Sequence, residues 1–425
     1  MSRPTVVVAV HDGWYGYGTG AGRSNRSLIE VLARNLAPGV RLVVMPIRLQ
    51  PGSPEYQADW HQSAQAAVAR VAGQVEPIDN GTGGMRRFGG LSNFQKACES
   101  AATAIMRLQP SSEPLLVLAC DAPFYGLGPL LPAELRGHLV AVARSTAVLH
   151  DPDDAERAWW EEHGLRDLIS GGGRVAVISQ HMYRHLVEDL RLPGHALVPL
   201  RNGLIDEDWR IPPPDSRFLP REARRGFLLG LGRAAAYKGW DDLLDALALK
   251  PPPWHTVLAA VAEVDNDQLT PYQLHLRERI TAERLPVTLL PRFDPGLRGL
   301  LAHPALVATV VPSREEPFGR VPLEAFAAGG APVVATTAGG LAELVFDGRT
   351  GYGARPGNAR SLAEAIGRAL AAGVEERRQI RQQARELAAS TFNYEINVRM
   401  FMFKVAPWAL PPVERARRPR GSRVD

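Results

Sequence analysis

Cysteine is scarce: Cys98 and Cys120 are the two in 425 residues. Two thiols cannot build a disulfide framework and match no metal-ligand spacing, so a reducing cytoplasm is the compartment this usage implies. Long apolar runs are also missing. No stretch approaches the ~20 apolar residues of a membrane span, and Val6–Val10 is too short for a signal peptide. Neither sign of charge dominates, since 49 Lys and Arg against 45 Asp and Glu leave +4. Part of that excess sits in the terminal run 414–423, which reads as a disordered end, with membrane-surface or nucleic-acid contact the less favoured alternative. No nucleic-acid partner is expected from this balance. What remains, 45% hydrophobic and 22% charged residues, suits a soluble chain with length for two or three domains.

The N-terminal half alternates strand and helix. Thr5–Val10 reads as a buried parallel strand, Gly13, Gly16, Gly18, Gly20 and Gly22 follow, and Ser24–Leu36 has the spacing of an amphipathic helix. Such a unit can place a phosphate at the helix N-terminus, or it can be a flexible connection. The spacing is not the strict G-x-G-x-x-G fingerprint, and no acid follows the next strand, which disfavours a nicotinamide dinucleotide. Residues 50–90 are punctuated by Pro and Gly. Order returns with a helix near Asn93–Arg107, a strand Leu115–Cys120, and a strand Leu139–Leu149 ending in His150. Ligands of open α/β sheets bind at the C-terminal ends of strands, which draws attention to Asp121 and His150, although a lone histidine can equally be structural. The acids Asp151, Asp153, Asp154 and Glu156 then allow two readings: a capped helix start, or an anionic rim for a cationic acceptor. Trp159 and Trp160 belong to the core or to a sugar-stacking face.

A stiff break at Ile211-Pro-Pro-Pro-Asp-Ser216 marks the domain boundary, and the alternation starts afresh beyond it. Strands are expected at 227–231, 256–261, 287–290, 306–311 and 332–335, with helices at 240–249, 272–284, 295–302 and 322–328 between them. Ser361 and Glu364 have capping-box spacing at the start of a further helix, with another over 375–389 and a last one over 393–405. Glu316 lies in the loop after strand 306–311, Glu324 falls in the first turn of the next helix, and Gly319 between them lets the backbone approach a ligand.

Four motifs in order carry a resemblance: Asn202-Gly203; Gly232-Arg233 with Lys238-Gly239; Pro312-Ser313 with Glu316-Pro-Phe318-Gly319 and Leu323-Glu324-Ala325; and Gly339-Gly340 with Glu343 and Asp347-Gly348. Together they resemble retaining nucleotide-sugar glycosyltransferases of GT-B architecture, specifically glycosyltransferase family 4. The resemblance is concentrated between residues 200 and 370. It implies an α/β protein of two Rossmann-like domains facing across a cleft. An acceptor domain over 1–210 and a donor domain over 217–390 would be followed by a helix over 391–410 crossing back, then a basic tail over 411–425.

By the same resemblance, Arg233 and Lys238 would bind the diphosphate, and two fixed cations suit the negative charge that builds on a departing nucleotide. Glu324 would accept from the ribose hydroxyls and Glu316 would hold a hydroxyl of the transferred sugar. Backbone amides of Phe318 and Gly319, with Gly20 and Gly22 opposite, would complete the cradle, and His150 would lie beside the reacting carbon. Retention through same-face displacement is inherited from the family. Asn202-Gly203-Leu-Ile-Asp206 carries one residue more than the family pattern and the N-terminal glycine loop is longer, which puts the acceptor rather than the reaction in question. D-x-D triplets at 151–153, 206–208 and 265–267 follow no suitable strand, so no essential metal and no cofactor beyond the nucleotide sugar are expected. The partners expected are that donor, UDP-linked ahead of GDP-linked, and a small-molecule acceptor; no motif writes the oligomeric state.

Overall fold

A computed structural model describes residues 3–108, 113–262 and 268–412. The first sheet has seven strands: β1 (Thr5–Val10), β2 (Arg41–Pro46), β3 (Gln74–Val75), β4 (Leu115–Cys120), β5 (Leu139–Ala143), β6 (Arg174–Val177) and β7 (Leu197–Pro199), in the order β3-β2-β1-β4-β5-β6-β7. All of its pairings are parallel, with Thr5 of β1 opposite both Arg41 and Leu115. Its crossovers carry α1 (Gly20–Asn35), α2 (Ala58–Ala69), α3 (Leu91–Leu108), α4 (Ala133–Arg136), α5 (Ala147–His150), α6 (Ala155–Ser170) and α7 (Gln180–Glu188). The β-branched run of β1 is fully buried because helices cover both faces of a parallel sheet.

The second sheet repeats the plan with β8 (Phe227–Arg233), β9 (His255–Val261), β10 (Val287–Leu289), β11 (Leu306–Val311), β12 (Val333–Thr336) and β13 (Tyr352–Ala354), in the order β10-β9-β8-β11-β12-β13. It is covered by α8 (Trp240–Leu249), α9 (Pro271–Ala282), α10 (Arg320–Ala328), α11 (Ala359–Ala371) and α12 (Val374–Ser390). In both sheets the strand order reverses beside the first strand, at β1/β4 and at β8/β11. That is the switch point where loops diverge and open a crevice for a ligand.

The last helix, α13 (Tyr394–Val405), packs Tyr394, Val398, Phe401 and Met402 into one core with β1, β2 and α1 of the first sheet. Its entry is fixed by a short parallel bridge in which Leu204 N donates to Phe392 O at 2.8 Å and Tyr394 N donates to Leu204 O at 2.9 Å. Gly203 is required here, because a Cβ on it would lie 2.1 Å from Phe392 O.

Four sequence expectations change. Strand 139–149 stops at Ala143, since the next side chain, Arg144, is buried and its guanidinium donates to Asn25, Asn202 and Tyr394. The chain turns to satisfy that charge, and His150 stands at the end of the short helix α5 rather than on a strand. α10 begins at Arg320, which moves Glu324 from the first turn to the second. α11 is capped by Asn358, whose side chain accepts from Ser361 N at 2.8 Å, while Ser361 Oγ accepts from Arg355 N. The expected capping box is therefore displaced by three residues. The segment 295–302 is helical as expected, but as a 3-10 turn.

Phe392 is 2% exposed and its ring meets Phe318 edge to face at 5.7 Å between centroids, so the return of the chain is stapled to the second domain. Phe392→Ala should lower the unfolding free energy by about 3–5 kcal/mol, read as a lower denaturation midpoint of the full chain.

Candidate functional site

The loops at the two switch points enclose a cavity of about 430 Å³ between the domains. The second domain supplies Arg233 from the end of β8, Tyr237 and Lys238 from the turn that follows, and Ser313, Glu316, Phe318 and Gly319 from the loop after β11. The first domain supplies Thr19, Gly20, Asp121, Arg144, Ser145 and His150. A second lobe of about 180 Å³ extends from Gly20 and Arg233 toward Val261, Phe293, Leu297, Arg298 and Glu324. Of the residues expected at a donor site, His150, Lys238, Glu316, Phe318 and Gly319 line the first cavity, Glu324 lines the second, and Gly20 and Arg233 line both.

Local chemistry explains how each reaches it. Gly319 sits at φ 106°, and a Cβ there would lie 2.6 Å from Leu341, so this N-cap of α10 admits only glycine without strain. Its left-handed turn exposes the start of α10 to the cavity, where unpaired amide donors favour an anion. Lys238 reaches Glu316 Oε2 directly, and Ser313 Oγ donates to the same oxygen at 3.3 Å. Cation and carboxylate are thereby held together at the cavity wall.

His150 stacks face to face on Tyr237 across the cleft, with centroids 4.5 Å apart and planes 19° apart. Tyr237 in turn lies under both cations, with Arg233 at 5.5 Å and Lys238 at 5.4 Å from its ring centroid. Burial, then Arg233, Lys238 and Arg157, push the His150 imidazolium down to about 2. The ring is therefore neutral at physiological pH. Ser145 Oγ fixes one edge at 2.6 Å from Nδ1, and Nε2 is buried with no partner among the described residues. A neutral, fixed imidazole with one nitrogen unused can exchange a hydrogen bond with a substrate hydroxyl, and it cannot act as a standing acid.

Glu324 lies in a denser ionic setting. Its Oε2 accepts from Arg298 Nε at 3.0 Å, its Oε1 accepts from Arg320, and Arg23 Nε stands 3.7 Å away. Burial opposes its charge, yet Arg23, Arg298 and Arg320 hold its carboxyl below the usual range. Asp208 belongs to the same cluster, accepting from Arg23 at 2.7 Å with Arg320 at 3.1 Å. Hydroxyls arriving at Glu324 would share a carboxylate that arginines already occupy.

Other expected residues are placed elsewhere. Gly22 does not line the cavity: its amide donates to the N-cap Thr19 Oγ1 at 3.0 Å, and its Cα is pressed against Asp12. The acidic run after His150 separates. Asp151 is exposed at the cavity rim, Asp153 is exposed away from it, and Asp154 caps α6 by accepting from Arg157 N at 3.0 Å. Trp160 is core, with its indole N–H donating to Ala122 O, whereas Trp159 is exposed and stacks on His163. The D-x-D triplet 265–267 lies outside the described residues. Among the described residues no cluster of three or more His, Cys, Asp or Glu has metal-binding geometry, and no helix is long and apolar enough to cross a membrane.

Sequence reasoning missed several participants. Tyr237 stood inside the Arg233–Lys238 motif without a role, and its signal was an aromatic between two spaced cations. Ser145 and Arg144 carried no signal, because the turn that aims them is set by Asn25 and Tyr394. Asp121, weighed as a strand-end acid, adopts φ 75°, a strained conformation for a residue other than glycine. It accepts from Asn25 at 2.9 Å and faces His11.

This two-sheet arrangement, with a cleft between parallel Rossmann-like domains and a helix returning to the first, is the GT-B architecture. Residues 214–387 match the family model described as Glycosyl transferases group 1. Among curated proteins, the chain is 42% identical over 249 residues to a lipopolysaccharide 1,2-N-acetylglucosaminetransferase of Salmonella typhimurium, covering 57% of this chain and 64% of that one. It is 32% identical over 219 residues to a glycogen synthase of Mycobacterium tuberculosis, covering 49% and 48%. The chain thus spans about half to two thirds of the length of these relatives. Among solved structures, a sucrose-phosphate synthase from Thermosynechococcus elongatus superposes with a TM-score of 0.73 at 21% identity over 96% of this chain and 98% of that one. An Anabaena protein, Alr3699/HepE, solved with UDP and glucose, gives 0.68 at 20% identity over 94% and 98%.

The ring environment makes a direct prediction. The His150 resonance, identified by its loss in His150→Ala, should not titrate between about pH 5 and pH 8. Tyr237→Ala should bring it back into that range by opening the stack to water, whereas Tyr237→Phe should not.

Proposed function

We propose that the protein transfers a sugar from a nucleoside diphosphate sugar to a hydroxyl of a small-molecule acceptor, with retention at the anomeric carbon. The observation that carries this reading is the convergence, in one cavity, of Arg233, Lys238, Glu316 and the α10 N-terminus from one domain with His150 from the other. The relatives named above support sugar transfer through their names, and the complex of the Anabaena protein with UDP and glucose favours a UDP-linked donor ahead of a GDP-linked one.

In this reading the nucleoside lies in the lobe beside Val261, Phe293 and Leu297, with the ribose toward Glu324. The diphosphate lies between Arg233, Lys238 and the start of α10. As the sugar–phosphate bond breaks, charge grows on the leaving phosphate, and these fixed donors stabilise it without reorganising. Lys238 then exchanges Glu316 for phosphate, which releases the carboxylate to bind a hydroxyl of the sugar. The neutral His150 presents Nε2 to the same sugar, where a second cation would oppose the positive charge that develops at the anomeric carbon. The acceptor enters from the side of Ser145 and Asp151, and its proton passes to the departing phosphate oxygen. Protein cations do the work that a metal does in other transferases, so chelation should leave activity unchanged.

A thermal-shift panel of UDP, GDP, ADP and TDP tests the donor site. The matching nucleotide at ~100 times its Kd should stabilise the protein by about 2.7 kcal/mol, and no response to any of the four would defeat the reading. Donor turnover in the absence of any acceptor, at a rate that added acceptors do not change, would instead indicate a hydrolase or epimerase on the same scaffold.

Glu316→Gln separates binding from chemistry. It should keep the nucleotide shift and lower sugar transfer about 100-fold, as removal of one transition-state contact does. Equal loss of both would show that Glu316 serves the nucleotide rather than the sugar.

A further inference from the structure

α13 buries one face in the first domain and leaves another in solvent. Ile396, Met400 and Phe403 are 50%, 60% and 66% exposed. At 3.6 residues per turn they form one continuous stripe, and Arg399 and Lys404, both exposed, flank it on opposite sides. The only acid of the helix, Glu395, turns away from the stripe, its carboxylate accepting from Asn35 at 3.1 Å. Arg174, also exposed, donates to Lys404 O at the C-terminal end of the helix, which adds a third cation to that edge. Eight residues beyond the helix begins the segment 413–425, which carries five arginines, Arg415, Arg417, Arg418, Arg420 and Arg423, against Glu414 and Asp425.

We propose that this face docks the protein on an anionic membrane surface. An apolar stripe bordered by long cationic side chains suits the boundary between acyl chains and headgroups: the apolar groups enter the boundary and the cations remain at the phosphates. A net positive segment directly downstream supplies the longer-range attraction to a charged leaflet. A second copy of the chain is a poorer occupant. Two-fold pairing of the stripe would bring the Arg399 and Lys404 rows of both copies together, and like charges at such an edge oppose association. The inference does not rest on the reaction proposed above. α13 is packed on the first domain, so docking would hold that domain at the membrane whatever the acceptor is.

The test is co-sedimentation of the full chain with vesicles of phosphatidylcholine alone or mixed with phosphatidylglycerol, at low and high salt. Binding should require phosphatidylglycerol and weaken with salt. The triple variant Ile396→Ser, Met400→Ser, Phe403→Ser should bind about tenfold more weakly or worse with an unchanged melting temperature, because these positions are exposed. Arg399→Glu with Lys404→Glu gives a second variant that should fail in the same way, and removal of 413–425 should also weaken binding. Unchanged binding by both face variants would overturn the proposal, as would equal binding to vesicles without phosphatidylglycerol. Concentration-dependent dimerisation in sedimentation velocity that the triple variant abolishes would assign the face to a second copy and overturn it as well.

Discussion

Everything in the cleft depends on ionised groups kept out of water where the two domains meet. Arg23 from α1, Asp208 from the segment between the sheets, and Arg298, Arg320 and Glu324 from the second domain have side chains 16% exposed or less. Three cations face two carboxylates, a local excess of one positive charge. Burying one such group alone would cost several kcal/mol, so the cluster is stable only while its members stay together. Each domain supplies charges that the other completes. Arg298 also donates to Asp208 O and Arg320 to Gly203 O, which ties the second domain to the linking segment by backbone as well as by charge. The relative placement of the sheets, and so the width of the cleft, follows from that set of contacts.

The same logic reappears on the opposite side of the cleft. Ser179 Oγ donates to Pro317 O at 2.7 Å, the backbone N–H groups of Gln180 and His181 donate to Glu343, and His181 Nε2 lies 2.9 Å from Glu315. Glu343 thus caps a helix of the other domain with the charge sign its N-terminus favours. Because Glu315 and Glu316 are neighbours, the loop that holds the Glu316 carboxylate in the cavity is braced from the first domain at its preceding residue. Domain contact and site geometry are one structural problem here, and a change in either alters the other.

How much of this was legible in the sequence depends on how far away the deciding partner lies. Strands such as Thr5–Val10 and Leu306–Val311 were legible because burial on both faces writes itself as an unbroken apolar run. Gly319 was legible because only glycine fits its backbone angle, and Arg233, Lys238 and Glu316 because their motifs are local. Arg144 was not, since the residues it bonds to are 119, 58 and 250 positions away. The same distance hid the end of β5 and the aim of Ser145. Asp154 was open to two readings and Gly22 was expected in the cradle for the opposite reason: each serves a helix start within three residues of itself, and such a role looks the same in sequence as a place in a binding site. Tyr237 was visible and silent, because a stack needs a partner that the chain supplies 87 residues earlier.

That stack links the electrostatics to the chemistry. Placing two cations around a histidine would be costly if the ring could take a proton, and burial alone would leave its orientation to a single hydrogen bond from Ser145. Tyr237 resolves both difficulties with one side chain. Its face shields the imidazole, and that same ring, lying within 6 Å of Arg233 and Lys238, draws the cations to itself by its quadrupole. The ring nitrogen then remains a neutral hydrogen-bonding group beside two positive charges, a combination that water would not sustain. The aromatic between the two cations therefore sets the charge that this side of the cleft presents.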